Sequence, residues 1–373
     1  MMRCKPIELH RRTLLTASLG AGLLGLPVPG QAETLTAADI SVFQTAAVKV
    51  ASLQSVFLIA ITKTGNRLVA VGEHGVVVYS DDQGVSWTQA AVPVDVTLTC
   101  VAFATDLVGW AAGHYGVILG TVDGGKTWHV QLNGLQVNQL ALAEAQAAAA
   151  NPPAANPSPA LALALKRASF FETLGPDKPL LCMVVLGPQK LLVLGAYRMA
   201  MMTTDGGKTW SDWSLHIYDR LSHDLYGVTT VGQDIYIACE TGLVFCSTDG
   251  GNSFPQVTSP AAVTLFGVIG GADGSVIVYG VAGHCYRSTD KGASWTAVNL
   301  GTQDDLVAAR ALSAEAILIA SEAGGLFVSR DNGASFTAVP NFPRMSVADF
   351  QPVSDRSLIV VGAAGSTQVP LAI

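Results

Sequence analysis

The sequence predicts an all-β fold, a seven-bladed β-propeller, and three observations carry that expectation. An Asp-containing octapeptide recurs along the chain at a spacing of 41 to 44 residues, or twice that. Upstream of each copy stands an apolar block that ends in a tight turn, usually with glycine. Between these signals the chain runs in brief apolar stretches, the pattern of short strands rather than of amphipathic helices. A four-strand unit repeated at about forty residues is the sequence form of a propeller.

The first element is a leader. Arg11-Arg12 precedes an apolar stretch from Leu14 to Leu26, followed by Pro27 and the small-residue segment Gly30-Gln31-Ala32. A charged front, an apolar middle and small residues before the cut describe a secretory signal peptide over residues 1–32. The arginine pair makes it similar to a twin-arginine leader, which exports folded proteins. Cys4 lies ahead of the apolar stretch and is not placed as a lipoprotein cysteine. Loss of the leader removes four bases and one acid from a chain of net charge −7, leaving −10. So acidic a chain is excluded from nucleic-acid binding, which needs a basic face. With 50% hydrophobic and 13% charged residues it is excluded from the disordered class as well. Cys100, Cys182, Cys239, Cys246 and Cys285 remain, an odd set without C-x-x-C spacing. They read as small buried hydrophobes rather than a disulfide framework or a zinc site.

The mature domain, 33–373, is expected to be the propeller. Six octapeptides of the form [ST]-x-D-x-G-x-[ST]-[WF] end at Trp87, Trp128, Trp210, Phe254, Trp295 and Phe336 and carry Asp82, Asp123, Asp205, Asp249, Asp290 and Asp331. Each closes the third strand of a blade and opens the fourth. The carboxylate accepts N–H groups of its own turn, glycine supplies the positive φ, and the aromatic packs between blades. These residues are read as architectural, not as catalytic or calcium-binding carboxylates. A seventh unit from Met345 to Ile373 lacks its outer strand, and Phe43–Val48, which mirrors Trp87–Val92, is expected to supply it and close the ring.

The interval of 82 residues between Trp128 and Trp210 holds an insert at about 134–179. Its Ala- and Leu-rich arms favour helix, around a Pro-rich tip, so a helical hairpin is expected between blades 2 and 3. Antiparallel logic puts it on the face of the second-to-third strand turns, opposite the Asp turns. That face is the candidate working surface, with His114, Tyr115, Tyr197, Arg198, Tyr218, Arg220, His223 and Glu240 as candidate partner-binding residues. A metal site from His74, His114 and His223 is disfavoured, because spacing gives no reason for the imidazoles to converge; no metal and no cofactor is expected.

The octapeptides resemble the Asp-box, or BNR repeat, of sialidases and related propellers. Together with the leader and the V-G-x-x-G-x-[VIL] hairpins, the mature chain from about residue 43 onward, the insert excepted, resembles the photosystem II stability/assembly factor-like propellers. The resemblance implies a non-enzymatic accessory factor that binds a membrane protein complex or a transporter. It implies a soluble, monomeric ring in the periplasm, or in the thylakoid lumen of a phototroph. Two departures stand out: the arginine-rich patch of the phototroph proteins has only Arg198 and Arg220 as counterparts, and the long insert suggests a different client. The alternative, a sialidase-like glycoside hydrolase or carbohydrate-binding propeller, lacks the F/Y-R-I-P segment. Arg67, Arg287, Arg310 and Arg356 also lie in or beside strands away from the candidate face.

Overall fold

The computed structural model describes residues 41–151, 158–219, 221–314 and 316–371. The expected leader and Arg220 lie outside the described residues. Seven antiparallel sheets follow one another along the chain, each opened by an inner strand: Leu58–Thr64, Leu98–Phe103, Leu180–Gly187, Leu225–Val231, Leu265–Gly270, Leu306–Ala311 and Asp349–Ser354. Each inner strand packs on the next, and the first packs on the last, so the ring closes.

What holds the blades together is a set of apolar cores, one at each junction. Val69, Val71 and Val77 of blade 1 meet Ala111, Leu119 and Trp128 of blade 2, and the pattern repeats around to Ile359 and Val361 of blade 7 against Leu58 and Val78 of blade 1. Strands are covered on both faces, which explains their near-continuous apolar runs. Trp210 joins the core shared with blade 2 and Phe254, fully buried, the core shared with blade 3, while Trp87, Trp295 and Phe336 pack half-buried against theirs.

The V-G-x-x-G turn has a steric cause. A Cβ on Gly113 would collide with the Thr97 carbonyl where the inner strand begins, and one on Gly116 (φ +60) would press on Gly134. The first glycine admits the neighbouring backbone, and the second admits the connection to the next blade.

The two arms of the insert are helices, α1 (Gly134–Ala150) and α2 (Ser158–Leu174). The expected closing strand differs from what is found. The last sheet has three strands among the described residues, ending at Gly365–Pro370. Residues 42–48 lie instead at the junction of blades 1 and 2, where Val42 accepts the Asp95 N–H at 3.2 Å and Ala47 donates to Val92 at 3.1 Å. Burial decides this placement: Phe43 packs edge-on against Tyr115 with ring centroids 6.1 Å apart. The ring is tied at its inner rim. Asp349 of blade 7 accepts the Ile61 N–H at 3.1 Å and the Arg310 guanidinium at 2.6 Å, linking blades 6, 7 and 1.

Candidate functional site

The insert is fastened to the ring at its base. Asn133 and Gln136 form a reciprocal capping box at the start of α1, at 3.2 and 3.0 Å. Buried Asn138 donates to the carbonyls of Phe171 and Gly175 at 3.0 and 3.1 Å, clamping the two helices together. Lys178, also buried, donates to Gly175 and Asp177 and lies 4.8 Å above the Phe171 ring. Leu161, Ala164, Ala168 and Phe171 give α2 its buried face.

From α2 the Arg167 guanidinium reaches down to the ring. It donates to the Tyr197 carbonyl at 3.2 Å, to Ser222 Oγ at 3.2 Å and to Ser214 Oγ at 2.9 Å. Around it the turns of blades 3 and 4 bring charged groups together. Asp212 accepts from Ser214 Oγ at 2.7 Å, and burial pushes its carboxyl up. Asp219 shapes the connector between these blades, accepting the Leu221 N–H at 3.0 Å and both the N–H and Nδ1 of His223. Asp224 accepts the Tyr197 N–H at 2.7 Å. Glu240 accepts the Asp224 N–H at 3.0 Å, and burial raises its carboxyl.

Arg198 is the backbone outlier of the cluster. At φ 60 it stands where blades 1, 2, 4 and 5 carry Gly75, Gly116, Gly242 and Gly283. Its side chain is buried and donates to the carbonyls of Ile217 and Asp219. Desolvation lowers its pKa to about 10, which leaves it cationic at neutral pH. Backbone held in the left-handed region by a bulky residue persists only where side-chain contacts compensate.

Tyr197, Arg198, His223 and Glu240 therefore share one cluster. Tyr197 and Tyr218 are exposed, whereas Arg198 is a buried brace rather than a presented anchor. His114 and Tyr115 belong to the blade 2 turn, half-buried beside Phe43 and the foot of α1; burial holds the His114 imidazole below its usual value, favouring the neutral ring. His74 pairs with Asp95 at 2.9 Å on blade 1, far along the ring from His223. No three metal-ligating side chains converge among the described residues. Sequence reasoning missed Arg167, Asp212, Asp219 and Asp224. Arg167 carried the one available signal, an arginine within the Ala/Leu arms.

The Asp-box face has a different chemistry. Asp82 accepts the Ser86 N–H at 2.9 Å, Ser86 Oγ at 2.6 Å and Ser80 Oγ at 2.7 Å, and these bonds, the Ser86 hydroxyl first, lower its pKa to about 2. Both carboxylate oxygens are spent within the turn. Neighbouring blades add to the fastening: Arg67 of blade 1 donates to the Gly124 carbonyl at 3.0 Å, and Lys190 of blade 3 to that of Gly250 at 2.7 Å.

The central channel encloses a cavity of about 370 Å³ walled by all seven inner strands, and its charged lining residues are Arg310 and Asp349, engaged with each other.

The family described as Photosynthesis system II assembly factor YCF48 matches residues 174–306. A curated relative, Photosystem II assembly lipoprotein Ycf48 of Synechococcus sp. (strain CC9902), is 32% identical over 114 residues. Residues 174–306 thus resemble the photosystem II assembly factor family. That alignment takes in 30% of this chain, which spans only 34% of the relative's length. Among solved structures, YCF48 bound to D1 peptide is 14% identical, with a TM-score of 0.62 over 88% of this chain and 96% of that one. YCF48 from Cyanidioschyzon merolae gives 14% and 0.61 over 85% and 96%. The Niastella koreensis GH74 enzyme gives 15% and 0.57 over 84% of this chain and 52% of that one. At such identities these likenesses show the fold alone. The family match runs from the end of α2 to the start of blade 6. That sector contains most of the charged cluster.

Proposed function

We propose that the mature chain is an exported, non-enzymatic assembly or stability factor that holds an extramembrane segment of a membrane-protein subunit on its insert-bearing face. One observation carries the reading: the family match falls on blades 3 to 5, and Tyr197, Arg198, Tyr218, His223 and Glu240 lie in that stretch, with Arg167 just ahead of it on α2. A YCF48 propeller of the same fold is described in complex with a D1 peptide, which supports a peptide as the ligand class. Exposed Tyr197 and Tyr218 over a braced connector are the kind of aromatic anchors that interfaces favour. The leader supports a periplasmic site of action, or a lumenal one in a phototroph.

Hydrolysis is the weaker reading. A glycosidase needs a pair of carboxylates across its substrate, and the channel lining offers Asp349 alone, bound to Arg310 and the Ile61 N–H. The Asp-box carboxylates are engaged in their own turns.

The test is capture from detergent-solubilised membranes by immobilised residues 33–373, beside a form in which 134–175 is replaced by a short Gly-containing turn. The intact form is expected to retain one membrane subunit, identified by mass spectrometry, and the trimmed form to lose it. Equal retention by both forms would move the interface away from the insert.

A further inference from the structure

The inner strand of each blade turns one edge to the central channel, and Ile61 shows what that edge presents. Its N–H is accepted by Asp349 Oδ2 at 3.1 Å, and its carbonyl accepts from Arg310 Nη2 at 3.3 Å. In an antiparallel pair, alternate residues turn both backbone groups away from the partner strand, and Ile61, in register with Ala70, is one of these. The Arg310–Asp349 pair serves two further strands at the same level. Asp349 Oδ1 accepts the Phe350 N–H at 2.9 Å, and Arg310 Nη1 donates to the Ala309 carbonyl at 2.8 Å. A carboxylate and a cation thus meet the channel-facing donors and acceptors of blades 6, 7 and 1.

On blades 2 to 5 the described residues that line the channel include no such pair. Val101, Met183, Val228 and Val268 hold the register position of Ile61, each the second residue past the bulge that opens its inner strand. Among the described residues, no side-chain hydrogen bond reaches their N–H or carbonyl groups. Backbone groups away from bulk water are nearly always paired. All four residues line the cavity of about 370 Å³, a size within the range of about 300–1,000 Å³ that small-molecule sites occupy. Thr229, in the register position of Arg310, brings a hydroxyl to the same half of the channel. Tyr226 and Phe266, with ring centroids 5.7 Å apart, give that half an apolar wall.

We propose that the half-channel of blades 2 to 5 binds a free α-amino acid with an apolar side chain. Its carboxylate accepts from the N–H groups and its ammonium donates to the carbonyls, as Asp349 and Arg310 do on the opposite half. Its side chain lies against Tyr226 and Phe266. Net charge selects the zwitterion. Arg310 and Asp349 already neutralise each other, and a lone anion or a lone cation would leave one set of backbone groups unmet. The site does not depend on the client reading proposed above.

Isothermal titration calorimetry on the full-length chain with L-phenylalanine and L-leucine reads the site. Both are expected to bind one to one. Phenylacetate, phenethylamine and N-acetyl-L-phenylalanine amide should each bind about tenfold more weakly or worse, because each loses at least one charge-assisted hydrogen bond. Thr229→Trp fills that half of the channel without touching the Arg310–Asp349 pair and should abolish binding. Amide exchange followed by NMR needs no variant: phenylalanine is expected to slow the Val101, Met183, Val228 and Val268 amides about tenfold and to leave Ile61 and Phe350 unchanged. Binding of neither amino acid overturns the proposal and assigns these groups to ordered water. Phenylacetate binding as tightly as phenylalanine overturns it in favour of an anion site at Arg310. Binding that persists in folded Thr229→Trp, with no slowing of the four amides, puts the ligand elsewhere and overturns it too.

Discussion

Arg198 shows how one residue departs from a repeat in order to serve a site. Its left-handed backbone costs about 1 kcal/mol relative to glycine, and its charge-assisted hydrogen bonding to carbonyls returns about 1.5–3 kcal/mol in all, since the contact to Ile217 is long at 3.4 Å. Arg198→Gly is therefore expected to lose only about 1–2 kcal/mol in urea unfolding, since strain relief offsets part of the lost bonding. Arg198→Lys keeps the strain and forfeits the planar fork, so it should be the less stable of the two. The reverse order would show that Arg198 does not brace the connector. The Asp-box carboxylates make a second residue-scale prediction. Asp82, Asp205 and Asp290 sit at about 2 in the fold instead of 3.8, through hydroxyl and N–H donors of Ser86, Thr209 and Ser294. A lowered carboxylate stabilises the fold above its unfolded value and ceases to do so as pH falls through its folded value. Melting temperature should drop between about pH 4 and pH 2. Glu240 and Asp212, raised by burial, act in the opposite sense on the neutral side of pH 4. A level melting temperature across the acid range would contradict the turn geometry.

At the scale of elements, the insert is a small domain fixed by polar groups at its foot and apolar packing along its length. Loss of the capping box in Asn133→Ala should cost about 1 kcal/mol, seen as fraying of 134–137 in amide exchange rather than as collapse of the ring; unchanged exchange there would leave the cap without a role. The sequence made both helices legible through composition and the interrupted period, and it made the Asp boxes legible through repetition. It did not make the N-terminal segment legible. Phe43–Val48 resembles Trp87–Val92, yet the choice between pairing with blade 7 and packing at the blade 1–2 junction turns on Phe43 finding Tyr115, a long-range contact with no sequence period. The Asp212, Asp219 and Asp224 carboxylates were hidden for the same reason. Each lies in a connector, where spacing carries no information about what it faces.

At the scale of the molecule, the ring divides labour between its two faces. One face spends its carboxylates and cations on blade fastening, and the other carries the insert, the braced connector and the exposed aromatics. The Arg310–Asp349–Ile61 contact ties the closing junction at the inner rim, beside the apolar core shared by blades 7 and 1. Asp349→Ala leaves Arg310 with the Ala309 and Ile61 carbonyls and the buried Ile61 N–H without its acceptor, and is expected to cost about 1–3 kcal/mol, allowing for the partial exposure of the arginine; a wild-type unfolding midpoint would mean the apolar junction core carries closure alone. Export is the remaining whole-chain expectation: Arg11→Lys with Arg12→Lys should strand the precursor inside the cell, and normal delivery of the double variant would rule out the twin-arginine route. The division between faces is tested most directly by hydrogen–deuterium exchange of residues 33–373 with and without the captured membrane subunit. Protection is expected on α2, on residues 196–198 and on the connector 213–224, with the six Asp-box turns unchanged. Protection centred on the Asp-box turns, with α2 and the connector unaffected, would contradict the account.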